Sequence, residues 1–246
     1  MWLQKVADHF NVTLFDEGLP PVVFTLNRGK SSAGYFSPAR WRHKTGSLAS
    51  EIAINPAYFA SQSLLSLFQT IGHEQCHLWQ HVHGEPSRPG YHNTEWAEKM
   101  MCIGLMPSST GKLGGATTGQ KMTDYPISGG RFIEACAELA KKQFELPWVD
   151  QGFKNPFAYR NINAAELSLW GDTADMLITT VGSHFPGLER YTPVGKEIKK
   201  LKIKYACSSC GANVWGKSEL QISCGICKQD FQPIIAKKSR NHRVSK

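Results

Sequence analysis

Apolar residues recur along the first 140 positions with two different periods. In LQKVADHFNVTLF (3–15) they fall at helical spacing and predict a short amphipathic helix. Pro20 and Pro21 break it. PVVFTLN, AGYFSPARW and SEIAIN follow, rich in β-branched and aromatic residues and separated by Gly, Ser and Lys turns, and they predict an antiparallel β-meander. In the last of them Ile52 and Ile54 share one face and Ala53 takes the other. From Ser61 to His83 the period lengthens. Leu64, Phe68, Ile71, Leu78 and Val82 recur at three-, four- and seven-residue steps, with Leu65 and Leu67 widening the stripe. Ser61 or Ser63 can cap this helix, and Gly84 with Pro86 ends it. Asn93 caps a second helix running through Ile103, with Glu95 in its first turn and Gly104 and Pro107 as the stop. PSSTGKLGGATTGQ reads as a long loop, 131–143 as a third helix and Ala164–Val181 as a fourth.

The 61–83 helix also carries chemistry. Within GHEQCHLWQHVHG, His73, Glu74 and His77 spell H-E-x-x-H, a pattern expected by chance roughly 0.02 times in a chain of this composition. Histidines at i and i+4 share one helix face, so both imidazoles can reach one Zn²⁺. Glu74 falls beside that metal rather than on it, where a carboxylate can act as general base toward water. The histidines point away from the apolar stripe, so the stripe can face a core while they face a cleft. His81 lies ~12 Å along the axis from His73, too far to share its ion. His83 occupies the third-ligand position of the longer pattern H-E-x-x-H-x-x-G-x-x-H, but Gln80 stands where that pattern needs its turning glycine. Gly84 does permit a turn, and His92, at the mouth of the next helix, is the favoured third ligand, with Glu95 as its competitor. Cys76 points in a different helical direction and reads as a packed thiol.

A second metal pattern lies near the C-terminus. Cys207, Cys210, Cys224 and Cys227 give C-x₂-C-x₁₃-C-x₂-C, two knuckles whose thiolates would close a tetrahedral structural zinc site and leave no position for water. So short a segment has little apolar content, so the metal would supply its folding energy. Tyr205, Trp215 and Phe231 read first as packing for this module.

Charge divides the chain unevenly. Of a net +8, residues from Lys196 onward hold 12 Lys/Arg against three acids, and residues 1–195 sum to −1. Lys199, Lys200, Lys202 and Lys204 before the cysteine module, and Lys237, Lys238, Arg240 and Arg243 after it, are candidate contacts to nucleic-acid phosphates. No membrane span and no signal peptide are evident, and the expected location is intracellular, cytoplasmic or nucleoid-associated.

The segments EIAINPAYF, IGHEQCHLWQHVHG and PGYHNTEWAEKMMCIGLMPSS, together with the cysteine module, resemble the SprT-like family of zinc metalloproteases, relatives of the Spartan proteases, over about residues 10–140 and 203–232. The family pattern falls on His73, Glu74, His77 and His92. The resemblance implies an α+β fold: a zincin-like metallopeptidase domain (1–143) with the meander packed on the H-E-x-x-H helix, followed by a small zinc ribbon. Residues 144–200 match nothing in that pattern and are taken as a mixed helical insert and basic connector, 201–235 as the ribbon and 236–246 as a basic disordered tail. The expected function is a zinc-dependent endopeptidase with one catalytic and one structural zinc, acting on proteins bound or crosslinked to DNA, the DNA held through the C-terminal region. The alternative is a non-proteolytic, nucleic-acid-associated regulator or adaptor that uses the same domain for structure or binding.

Overall fold

A computed structural model of the chain describes residues 2–28, 32–142, 144, 146–150, 177–179, 181–185, 203–217 and 219–234. The chain divides into two compact units, Met1–Tyr191 and Thr192–Lys246. The expected 236–246 tail and most of the predicted Ala164–Val181 helix lie outside the described residues.

The first unit mixes helices with small sheets. Its elements are α1 (Trp2–Leu14), β1 (Val22–Leu26), β2 (Gly34–Arg42), β3 (Leu48–Ile54), α2 (Leu64–His83), α3 (Thr94–Cys102), β4 (Leu105–Ser108), β5 (Thr123–Pro126) and α4 (Arg131–Lys141). Helix α2 is the centre of the unit. Leu64, Leu65, Leu67, Phe68, Ile71 and Leu78 are buried along it, while Val82, at the far end of the predicted stripe, is 44% exposed. The Ser63 side chain accepts from the Ser66 N–H to start the helix, and Gly84 caps its end. An aromatic cluster joins three helices: Phe10 of α1 meets Phe68 of α2 edge-on at 6.0 Å and Phe132 of α4 at 5.6 Å.

The three-stranded sheet corrects the predicted meander. Its order is β1-β3-β2, with β1 parallel and β2 antiparallel to β3. A meander would put β2 in the middle, yet β2 carries Pro38, which has no N–H to donate, followed by exposed Ala39, Arg40, Trp41 and Arg42. Strand β3 is buried from Glu51 through Ile54 and takes the central place instead. Ile52 and Ile54 align with Phe24 and Leu26 on β1 and with Phe36 and Gly34 on β2. Gly34 allows α2 to pack closely: a Cβ there would lie 2.8 Å from Thr70 Cγ2 and 3.3 Å from Glu74 Oε1.

The predicted loop at 107–120 is largely present, but as the connection of a hairpin that was not expected. Residues 105–126 form a hairpin in which β4 and β5 pair antiparallel, Leu105 with Pro126 through Ser108 with Thr123. The second unit is a three-stranded sheet of order β7-β6-β8, from β6 (Ile203–Cys207), β7 (Asn213–Gly216) and β8 (Phe231–Pro233). Among the described residues no helix is long and apolar enough to cross a membrane.

Candidate metal centres

Helix α2 presents His73 and His77 one turn apart, and the chain then doubles back to bring His92 against them. Gly84 ends α2, and a polar clasp closes the loop that follows. Gln80 Nε2 donates to Asn93 Oδ1 at 2.7 Å and to Glu95 Oε2 at 2.6 Å, and Glu95 Oε2 also accepts from the Glu85 N–H at 2.9 Å. Asn93 caps α3 by accepting from the Trp96 N–H. Glu95, the competing third ligand, is therefore engaged in holding the loop, and the histidine cluster that can take a metal ion comprises His73, His77 and His92. Gln80 at the position of the longer pattern's glycine has the same role. His83 turns away, its Nε2 2.7 Å from the Gly18 carbonyl. His81 lies beside Phe36, the ring centroids 5.8 Å apart. Cys76 is fully buried, and burial pushes its thiol well above the ordinary range.

A Cβ at position 84 would fall on the Glu95 carboxylate. The Gly84 backbone is extended and tolerates alanine, so Gly84→Ala acts by displacing Glu95 from Gln80 and Glu85. Losing part of that clasp costs about 1–2 kcal/mol, which urea unfolding of the variant measures.

The three imidazoles converge through Nε2. His92 Nε2 lies 3.3 Å from His73 Nε2 and 3.1 Å from His77 Nε2. Ligands on tetrahedral zinc at Zn–N distances of about 2.0–2.1 Å are about 3.3 Å apart. The opposite nitrogens decide the tautomers: His92 Nδ1 faces the Gly119 carbonyl at 3.1 Å and His73 Nδ1 faces the Asp124 carboxylate at 3.2 Å. A carbonyl oxygen only accepts, and a carboxylate accepts, so each Nδ1 carries the proton. In the neutral rings the two Nε2 lone pairs then point at one another across 3.3 Å without a hydrogen between them. That arrangement is suited to a cation. Burial, reinforced by the neighbouring histidines, holds His77 well below the usual imidazole range and His92 at about 4, so both are ready as neutral ligands at pH 7.

Trp96 forms the wall behind the cluster. It is fully buried, its ring centroid 4.3 Å from His92, 4.8 Å from His73 and 5.3 Å from His77, the last nearly stacked. In front lies a cleft of about 910 Å³, bordered by Gly34–Phe36 and Pro38 of β2, by Tyr58, by Arg88–Tyr91 and by Lys121–Asp124. Glu74 lines this cleft next to the histidines while only 6% exposed.

With this geometry in place, one likeness to known proteins can be set beside it. Residues 3–113 match the SprT-like family. The matched segment spans most of α1, the sheet, both histidine-bearing stretches and β4, and the likeness suggests a metallopeptidase-like domain. It ends before Gly119 and Asp124, which neither the SprT-like match nor any sequence pattern singled out. No curated protein and no solved structure matches the chain.

The second unit holds the other cluster. The Sγ atoms of Cys207, Cys210, Cys224 and Cys227 lie within 4.8 Å of one another, Cys210 and Cys224 at 3.7 Å. Thiolates on tetrahedral zinc at about 2.3 Å stand about 3.8 Å apart. The backbone N–H groups of Cys227 and Ile226 draw the Cys224 thiol down to about 7. Both clusters suit zinc, and the four cysteines are compatible with a ribbon. Tyr205 is a packing residue, 2% exposed, its hydroxyl donating to the Lys217 carbonyl and accepting from the Leu220 N–H. Trp215 departs from the expectation: it is 61% exposed, with Lys204 Nζ 5.8 Å from its ring centroid. Of the candidate phosphate contacts only Lys204 is described. Lys199, Lys200, Lys202, Lys237, Lys238, Arg240 and Arg243 lie outside the described residues.

Proposed function

We propose that the chain is a zinc-dependent endopeptidase of zincin type that acts on proteins associated with DNA. The observation that carries this reading is the meeting of His73, His77 and His92 through Nε2 at the base of an open cleft, with Glu74 beside them. The three histidines would hold Zn²⁺. When bound, the ion supplies Lewis-acid chemistry, acidifying water and polarising a carbonyl. The chain's own residues do the rest. Glu74 accepts the proton of the attacking water and returns it to the amine that leaves. Its low exposure keeps bulk water from crowding the carboxylate. Strand β2 is one edge of the sheet and borders the cleft at Gly34–Phe36 and Pro38. An extended peptide can pair with such an edge, which would carry a scissile bond past Glu74.

The nucleic-acid half of the proposal rests on the +9 net charge from Lys196 onward and on the exposed Trp215 with Lys204 over it. The same features would serve the alternative, a non-proteolytic regulator bound to nucleic acid. The test is cleavage of a DNA-bound basic protein by the full chain. Activity should fall to background after chelation and return on adding one equivalent of zinc to the stripped site. Cleavage that persists in a chain shown to be zinc-free would overturn the proposal.

A further inference from the structure

The hairpin β4–β5 and its connecting loop touch two of the three histidines at Nδ1, the ring nitrogen opposite the converging Nε2. Asp124, in β5, is 5% exposed. Its Oδ2 lies 3.2 Å from His73 Nδ1, and its Oδ1 accepts from Gln69 Nε2 at 2.9 Å. Gln69 sits one turn before His73 on α2 and also donates to the Asp124 backbone carbonyl at 3.3 Å. Both Gln69 protons are thereby committed, which fixes the carboxylate with Oδ2 toward the imidazole. At His92 the anchor is backbone. The Gly119 carbonyl accepts from the His92 N–H at 2.9 Å and faces His92 Nδ1 at 3.1 Å, while the Gly119 N–H donates to the His92 carbonyl at 3.0 Å. One short stretch, 119–124, thus holds a histidine from the helix and another from the loop after it.

We propose that this hairpin is the positioning element of the metal centre: Asp124 and the Gly119 carbonyl hold His73 and His92 in the tautomer that presents Nε2, and so set the centre's affinity for zinc. This rests on reading the histidines as zinc ligands. A hydrogen-bonded carboxylate behind an imidazole fixes its orientation and raises its basicity, and removing such a partner weakens metal binding about 10–100-fold. Asp124 is bonded to Gln69 and faces His73, and it acts on the metal position through His73.

Asp124→Asn is the informative change because it is isosteric. With its amide oxygen toward Gln69 it presents NH₂ to His73 Nδ1–H; flipped, it presents NH₂ to Gln69. Either way one bond is lost, and so is the charge. The experiment is zinc competition against a chromophoric chelator on the full chain. Cobalt substitution tells the sites apart, since only the cysteine site shows thiolate-to-cobalt absorption. The expected result is a 10–100-fold weaker histidine site, an unchanged cysteine site and unchanged melting of the zinc-free protein. Equal zinc affinity in folded D124N would overturn the inference while leaving the peptidase reading intact; a wild-type histidine site that takes no zinc would overturn both. Should D124N fail to fold, ¹H–¹⁵N spectra of the zinc-loaded wild type decide. His73 and His92 should both carry the proton on Nδ1, and the opposite tautomer at either would refute the assignment.

Discussion

Glu74→Gln removes peptide hydrolysis and leaves the zinc in place. The substitution keeps the side chain's length and shape, so the Gly34 backbone and Thr70 that pack closely around this part of α2 need not move. An amide cannot take a proton from water at neutral pH, and it is the proton transfer that the proposed mechanism asks of this side chain. Losing a positioned general base lowers turnover by about 10²–10⁴-fold, which for a slow peptidase is background. Two measurements on the same sample separate the cases: metal analysis should still find zinc at the histidine site, and a DNA-bound basic protein should remain uncut. Full turnover by E74Q would remove Glu74 from the mechanism. Loss of cleavage with unchanged biological activity would favour the regulator.

Cys224→Ser should cost the second unit its fold. Among its described residues only Tyr205, Cys207 and Cys224 are buried core positions, while Ile226 and Trp215 stand in solvent. Burying so little apolar surface cannot offset ordering some thirty residues at about 1–2 kcal/mol each for the backbone alone. A structural zinc site contributes about 10–16 kcal/mol at pH 7, and serine replaces a thiolate with a poor ligand. The backbone N–H groups of Cys227 and Ile226 that draw Cys224 toward its thiolate act on that one sulfur. Zinc content should drop by about one equivalent, and amides of β6, β7 and β8 should lose their hydrogen-exchange protection. A C224S chain that kept both zinc equivalents and protected strands would show that the ribbon stands without its fourth thiolate.

How much of this was legible depended on whether the signal was local. Helix α2 and its caps were written in a periodic stripe with Ser61 or Ser63 at its start and Gly84 at its end, and the structure uses Ser63 and Gly84. Asn93 was readable as a cap for the same reason. Sheet order was only half visible. The alternation marked three strands, but pairing is long-range, and the clue that β2 must be an edge was a single residue, Pro38. The β4–β5 hairpin escaped notice because each strand is four residues long and each contains a proline, which suppresses any alternating pattern. Asp124 and Gly119 went with it. Nothing near Asp124 in sequence marks it as different from other acids; its position becomes meaningful only once Gln69 and His73, some fifty residues earlier, are folded against it. Trp96 was visible as a helix residue, but not as the wall shared by three imidazoles.

Strand β2 leads two lives along its length. Its first residues border the cleft, and beyond the irregularity between Ser37 and Trp41 it runs out to a turn at His43–Ser47, all solvent-facing and closed by backbone bonds His43 N to Ser47 O and Gly46 N to His43 O. A dye or affinity handle grafted at that tip would therefore sit on the same strand that the proposed peptide would pair with, away from every group assigned to the chemistry.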